Sequence, residues 1–296
     1  MKYLFILNPQ AGLKLRERSL VDLIDQYMCN SEHSYEFAYT TCAGDATRIA
    51  AQAVSEGFEI VVAVGGDGTV NEVGCGLIRT QGILGVLPVG SGNGVARSLK
   101  IPLTLKESIK LLISPEIITI DIGKVNEDYF IGVCGIGFDA LIGRKFQEFG
   151  FRGPIPYFLI GIKEFMKYRP QDYLLKIDKE TTNKKALFMA IANTKEYGNS
   201  AIIAPNADPI DGFLDVCLIE PPSIFEAIRS AFLLFRGKIN HSLIYSHNRC
   251  KSVKISAKGE GISLHRDGEP DEITYNLDIK IEEKALKVCS PYNLPD

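Results

Sequence analysis

The sequence predicts an α/β domain with a doubly wound parallel sheet over residues 1–117, followed by an antiparallel β-sandwich over 118–285. Three observations predict it. Strand-like and helix-like stretches alternate with short connections as far as Pro115, the pattern of a parallel sheet covered by helices. After Pro115, strand-like runs follow one another with little helix between them, as in a sandwich. Three turn-rich loops, 8–12, 65–69 and 89–94, each follow an apolar strand in the first part, where open α/β sheets bind ligands.

Residues 3–7 are a short apolar strand that ends at Asn8-Pro9-Gln10-Ala11-Gly12. A helix over 15–28 places Leu20, Leu23, Ile24 and Tyr27 on one face. An alternating strand over 35–41 leads to a helix that begins near Gly44-Asp45-Ala46-Thr47 and runs to Val54. Buried strands over 60–64 and 83–88 follow, with helices over 69–78, 95–99 and 105–113. In the second part, 117–125 and 129–134 pair around a turn at Asn126-Glu127-Asp128. Helices are expected at 139–149, 155–168 and 223–236, and strands at 172–178, 186–193, 213–219, 251–257 and 277–282. The last strand, 286–289, is expected to rejoin the first domain together with the residues up to 296.

Composition narrows the function classes. The 296 residues are 46% hydrophobic and 23% charged, which suits a globular protein with a sizeable core. A net charge of −3 gives no basic field for nucleic acid. The seven cysteines are scattered without a C-x-x-C pair, which argues against a disulfide framework or a zinc site. The N-terminal apolar run is too short for a signal-peptide core. No apolar stretch approaches the roughly 18–20 residues that cross a bilayer. The expectation is a cytoplasmic protein without a transmembrane segment, in peripheral contact with a membrane.

Residues 60–73, IVVAVGGDGTVNEV, pass from an apolar strand through Gly65, Gly66, Asp67 and Gly68 into a helix. Glycines let several backbone N–H groups approach one anion, and the helix adds the positive end of its dipole. A carboxylate among such donors makes sense if Mg²⁺ lies between Asp67 and a phosphate. An ordinary strand–turn–helix join is the plainer reading. The segment is neither a Walker loop, since no Gly-Lys-Ser/Thr follows, nor G-x-G-x-x-G, since Asn71 holds the third position. Gly90-Ser91-Gly92-Asn93 is a second such loop, in which Ser91 and Asn93 suit phosphate or ribose, or a simple turn. Gly135-Ile136-Gly137-Phe138-Asp139-Ala140 fits G-x-G-x-x-A, but a hairpin precedes it and no βαβ unit follows. It reads as a tight turn feeding a helix.

Asp208, Asp211 and Asp215 form either a solvated loop or a site for a hard divalent cation. His265-Arg266-Asp267-Gly268-Glu269-Pro270 is a turn, or the source of a general base if it reaches the phosphate. The aromatic stretches 155–168 and 224–238 read as core, or as walls for a lipid tail with Lys163, Lys167, Arg169, Arg229, Arg236 and Lys238 at the membrane surface.

In order along the chain stand Asn8-Pro9-x-x-Gly12, Thr40-Thr41-x-x-Gly44-Asp45-Ala46, Gly65 to Val73, Leu87-Pro88-x-Gly90-Ser91-Gly92-Asn93-x-x-Ala96, Gly137-Phe138-Asp139-Ala140, Asp211-Gly212-x-Leu214-Asp215-Val216 and Asp267-Gly268-Glu269. Together they resemble the diacylglycerol kinase catalytic family, which includes soluble bacterial lipid kinases, sphingosine kinases and ceramide kinases. Phosphofructokinases and NAD kinases share the Gly-Gly-Asp-Gly-Thr core; Asn71-Glu72-Val73, the second loop and the late Asp-Gly-Glu select the lipid-kinase branch.

The resemblance implies a Rossmann-like nucleotide domain of the NAD kinase/phosphofructokinase type, a lipid-binding β-sandwich, and ATP in the cleft between them. It implies ATP contacts from Asn8, Thr40, Thr41, Gly65, Gly66, Asp67, Gly68, Thr69, Val70, Asn71, Glu72, Gly90, Ser91 and Asn93. Asp67 is to act through Mg²⁺. Asp208, Asp211 and the Phe213 carbonyl match a second, structural Mg²⁺ site, to which the spacing of the acids adds Asp215 as a candidate ligand. Asp267 and Glu269 match the catalytic carboxylates, with Asp267 the first candidate for the base. Gly94 stands where many bacterial diacylglycerol kinases carry an Asp, and this stretch is closer to the sphingosine kinases. The expected activity is ATP- and Mg²⁺-dependent phosphorylation of a primary hydroxyl on a lipid, such as diacylglycerol or a sphingoid base. The expected partner is that lipid at a membrane surface, and a homodimer is admitted. The alternatives are a kinase of a soluble substrate such as NAD, and a nucleotide- or lipid-binding module without catalysis.

Overall fold

The computed structural model describes residues 1–9, 17–149, 164–165, 167–257, 259, 261–271 and 273–292. The side chains of 17, 18, 143, 144 and 146–149 are outside this description, as is most of the expected helix at 155–168. The chain forms two units, Met1–Ile120 with Glu283–Asp296, and Asp121–Glu282.

The first unit is an α/β domain. Its strands are β1 (Lys2–Leu7), β2 (Ser34–Tyr39), β3 (Ile60–Gly65) and β4 (Ile83–Pro88). They pair in parallel in the order β2-β1-β3-β4. Every residue of β3 is buried, as expected for a central strand covered on both faces, and its Ile-Val-Val-Ala-Val run satisfies that burial. The crossovers are α1 (Glu17–Met28), α2 (Asp45–Ser55) and α3 (Asp67–Leu77), followed after β4 by α4 (Gly94–Ser98) and α5 (Leu105–Ile113). Tyr3, Phe5, Ile24, Met28, Val62 and Leu112 build the core on one face of the sheet. The buried Tyr3 hydroxyl donates to the Leu112 carbonyl at 2.7 Å. On the other face α2 and α3 pack so closely that a Cβ on Gly76 would lie 2.4 Å from the Thr47 carbonyl oxygen. Because β1, β3 and β4 run parallel and adjacent, the loops after them leave the same edge.

The second unit is an antiparallel sandwich. The hairpin expected around residue 126 joins β5 (Ile117–Val125) and β6 (Asp128–Phe130). β7 (Val133–Gly137) runs directly into α6 (Phe138–Phe149), the expected tight turn feeding a helix. Then come β8 (Gln171–Ile177), β9 (Glu180–Ala186), β10 (Phe188–Ala192), β11 (Leu214–Ile219), α7 (Ile224–Phe235), β12 (Tyr245–Cys250), β13 (Ser252–Ala257), β14 (Leu264–Arg266), β15 (Glu269–Pro270) and β16 (Asn276–Cys289). One sheet has the order β12-β11-β10-β7-β14-β15. In the other, the first half of β16 pairs with β13, which pairs with β8 and β8 with β9. Ile136, Met189 and Val216 from the first sheet meet Leu175, Val253 and Ile279 from the second in one buried cluster. The second half of β16 pairs with β4 through Lys287 and Val288, which is the expected return of the C-terminal strand.

Candidate active site

In the first unit, side chains and backbone bring the three strand-end loops together. Asn8 follows β1, and its Nδ2 donates to Thr69 Oγ1 at 3.4 Å, at the start of α3. Thr69 lies folded over Gly65, where a Cβ would sit 2.3 Å from its Oγ1. Gly66 and Gly90 meet backbone to backbone, and a Cβ on Gly90 would lie 2.4 Å from the Gly66 Cα. Gly66 is extended, with φ −98°. Its use here is close approach to the second loop.

Asp67 is the first residue of α3, and its Oδ1 accepts the Val95 N–H at 3.1 Å, so one carboxylate ties the starts of α3 and α4 together. Gly94 opens α4. Asn93 sits in the left-handed region at φ 51° and donates through Nδ2 to the Gly90 carbonyl at 2.9 Å. Its Oδ1 is buried and accepts no hydrogen bond among the described residues. Ser91 is exposed at the loop tip.

Several expected nucleotide contacts also have structural work. Val70 is buried, and its N–H donates to the Gly66 carbonyl within the α3 start. Asn71 Oδ1 accepts from the Cys75 thiol at 3.6 Å. Glu72 accepts the Ala46 N–H at 3.2 Å and so serves the start of α2, whose own N-cap, Gly44, makes no side-chain bond. Thr40 donates to the Leu7 carbonyl through N at 3.0 Å. Thr41 donates through both N and Oγ1 to Asp45 Oδ2. The Arg48 guanidinium and the Thr41 donors hold the Asp45 carboxyl down at about 2.

In the second unit, Asp267 occupies the turn between β14 and β15 at φ 47°. Its Oδ2 accepts from Ile131 N at 2.8 Å, and its Oδ1 from Gly132 N at 2.7 Å and Val133 N at 2.9 Å. Its own N–H donates to the Val133 carbonyl. Asp267 therefore clamps the turn onto the segment that enters β7. Glu269, two residues on, is exposed. A second clamp was not anticipated from the sequence. His265, 4% exposed, contacts Asp139 Oδ2 through Nε2 at 2.7 Å, and its Nδ1 accepts the Gly268 N–H at 3.2 Å. In the neutral ring that bond leaves the proton on Nε2, facing Asp139. Burial disfavours the charged ring, but the carboxylates of Asp139, Asp267 and Glu269 outweigh it and raise the His265 pKa. Gly135 makes room for the pair, since a Cβ there would lie 2.1 Å from Nε2 and 2.5 Å from Asp139 Oδ2. The pair joins two motifs singled out in the sequence, Gly135–Ala140 through its first Gly and its Asp, and His265–Pro270 through its His.

Asp208, Asp211 and Asp215, expected at a structural metal site, lie near enough that, beside burial, Asp208 and Asp215 raise the Asp211 pKa, and each has protein partners. Asp208 Oδ1 accepts from Ile210 N, and Asp211 Oδ1 accepts from Phe213 N at 3.0 Å. The other Asp211 oxygen is paired with Arg249, whose guanidinium also lies over the Phe213 ring at 4.6 Å. Asp215 is a buried residue of β11 and is paired with His247 from β12. Arg249 puts a positive charge where a cation would need the Asp211 carboxylate. No group of three or more His, Cys, Asp or Glu among the described residues is arranged to hold a metal. The second oxygen of Asp215 is buried and accepts no hydrogen bond among the described residues.

The family model described as the diacylglycerol kinase catalytic domain matches residues 2–125. The YegS C-terminal NAD kinase β-sandwich-like domain matches 132–290. The diacylglycerol kinase of Bacillus subtilis (strain 168) is 30% identical over 275 residues, covering 89% of this chain and 88% of that protein. The diacylglycerol kinase of Mycobacterium tuberculosis (strain ATCC 25618 / H37Rv) is 30% identical over 235 residues, covering 77% and 75%. The crystal structure of a diacylglycerol kinase from Bacillus anthracis str. Sterne superposes with a TM-score of 0.74 at 20% identity, over 98% and 96% of the two chains. Yeast NADH kinase complexed with NADH gives 0.59 at 12% identity, over 98% and 83%. These two structures share the fold. Both halves of the sequence meet their own family model, and the identity to a named kinase is sustained along most of the chain, so this chain belongs to the diacylglycerol kinase catalytic family.

Proposed function

We propose that the chain transfers the γ-phosphoryl group of ATP to the primary hydroxyl of a lipid. The observation that carries the reading is the meeting of Gly66 with Gly90 beneath the start of α3, whose N-cap, Gly66, has no side chain to cap the helix. Two glycine loops and a helix N-terminus suit a polyphosphate, and the buried, unpartnered Asn93 Oδ1 suits a ligand hydroxyl. ATP with Mg²⁺ supplies the transferable group and neutralises its charge. Asp67 is the carboxylate of this unit that would hold the metal, and Asn8, Ser91 and Asn93 would orient the nucleotide. The family and its relatives, named diacylglycerol kinases, support a lipid acceptor.

Glu269, rather than Asp267, would take the proton. Both Asp267 oxygens already accept backbone N–H groups. Glu269 is exposed, and the turn that carries it is held through Asp267 and Gly268. In the reaction the bond from the γ-phosphorus to the bridging oxygen breaks and ADP leaves. A new P–O bond forms to the lipid oxygen, whose proton passes to Glu269. Positioning and electrostatics supply most of the rate. The test is incubation with γ-labelled ATP, Mg²⁺ and separate acceptors: diacylglycerol, a long-chain base, ceramide, undecaprenol and NAD. Label in a lipid phosphate supports the reading. Label in NAD, or nucleotide binding without transfer to any acceptor, refutes it.

A further inference from the structure

The helix α7 is apolar on the side that faces away from its unit. At 3.6 residues per turn, Ile224, Phe225, Ile228, Phe232 and Phe235 fall within an arc of about 100° opposite Ser230. Phe225 is 76% exposed, Ile228 68% and Phe232 57%. The inward side carries Ser230, which is buried and bonded at 2.7 Å to the Ser242 hydroxyl, together with the half-buried Leu234, which packs on Leu187 and Ile219. This inverts the usual placement, in which the large apolar side chains of a surface helix face the core. The bond to Ser242 also holds the short turn after α7, and Leu243 in that turn is 82% exposed. The core-packing reading of 224–238 therefore holds only for the inner face.

The charges around the stripe have one sign. Arg229 and Arg236 flank it on one side and Lys238 follows the helix. Arg236 stacks on the Phe232 ring at 4.2 Å. The one acid of the helix, Glu226, lies on the flank away from the stripe and is held in a capping box with Ser223. Glu220 lies before Pro221 and Pro222, outside the helix.

We infer that α7 lies in the plane of an anionic membrane surface, with its phenylalanines in the acyl boundary and its basic residues against the lipid headgroups. Resting on the lipid-kinase reading, this assigns the surface by which the protein reaches its acceptor. A 12-residue helix spans about 18 Å, too little to cross a bilayer, so it lies on the surface. Basic residues beside an apolar stripe fit anionic headgroups. They fit a second copy poorly, because a two-fold contact sets the same cationic patch on both sides.

The test is flotation of the intact protein, without ATP, on vesicles of phosphatidylcholine alone and of phosphatidylcholine with phosphatidylglycerol. Wild-type protein should float with the anionic vesicles. Phe225→Ser with Phe232→Ser should weaken partitioning about tenfold or more, at unchanged thermal stability. Arg229→Gln, Arg236→Gln and Lys238→Gln together should abolish the preference for anionic vesicles. Failure of the wild type to float overturns the proposal. So does flotation of the phenylalanine variant at the wild-type level, or a wild-type dimer that the variant dissociates with no vesicle binding in either. Because no turnover is read, flotation without lipid phosphorylation upholds the docking surface and counts against the kinase reading instead.

Discussion

An alanine at position 90 would place its Cβ 2.4 Å from the Gly66 Cα and 2.9 Å from Asn93 Oδ1. Carbon atoms rest in contact at about 3.5–4.0 Å, so the two loops must part by about 1 Å. Neither partner can yield cheaply, since Gly66 contributes backbone and Asn93 is held to the Gly90 carbonyl. A separation of that size breaks the 3.1 Å bond from Val95 N–H to Asp67, and with it the alignment of α3 and α4. Overpacking of this kind costs about 1–3 kcal/mol. A displacement of about 1 Å at a phosphate-holding loop lowers turnover by about 100-fold. The matched control is Gly66→Ala, whose Cβ would stand 3.3 Å from the Gly90 Cα and needs only a small adjustment. Thermal unfolding and ATP-analogue titration of both variants separate the cases. Gly90→Ala should lose stability and most nucleotide affinity, and Gly66→Ala much less of each. Wild-type stability and affinity in Gly90→Ala would refute the loop-to-loop contact as the basis of the site.

Asp67→Asn keeps an oxygen for the Val95 N–H and should fold normally while losing transfer, whereas Asp67→Ala should also lose about 1 kcal/mol of stability with the helix tie; equal stability of the two contradicts the tie. Asp267→Asn turns an amide donor toward backbone N–H groups and should cost about 1.5–3 kcal/mol, while Glu269→Gln should leave stability within about 0.5 kcal/mol and abolish transfer. Denaturant titrations with turnover assays check this pair, and an active Glu269→Gln rejects the base assignment. His265 has a raised pKa, so its contribution to stability is complete below the unfolded value of 6.5 and is lost as pH rises through the folded value. Asp139→Asn should abolish that part of the pH dependence above about pH 6.5, and an unchanged slope would show that Asp139 does not hold the imidazolium.

The parallel sheet was legible because its central strands are buried on both faces and read as unbroken apolar runs, as in β3. The strands β9 (ETTNKKA) and β12 (YSHNRC) were not anticipated. Both lie at sheet edges, where backbone pairing holds the strand on one side and polar side chains are tolerated on the other. Local chemistry at the site was also legible, since two glycine loops at strand ends announce close backbone approach. What they approach was not, because Gly66 and Gly90 require the absence of each other's Cβ across 24 positions of sequence. The Asp267 clamp reaches back to residues 131–133 and the His265–Asp139 pair spans 126 positions, so no window of sequence shows either. The spacing of the acids left Asp215 open as a loop residue or a metal ligand, and only the pairing of β12 alongside β11 shows that one of its oxygens meets His247.

Single-turnover transfer from γ-labelled ATP to diacylglycerol in mixed micelles, with ATP loss followed in parallel, tests the lipid-kinase reading most directly. One labelled lipid phosphate should appear for each ATP consumed. ATP consumption without labelled lipid, or no consumption with nucleotide bound, would contradict it.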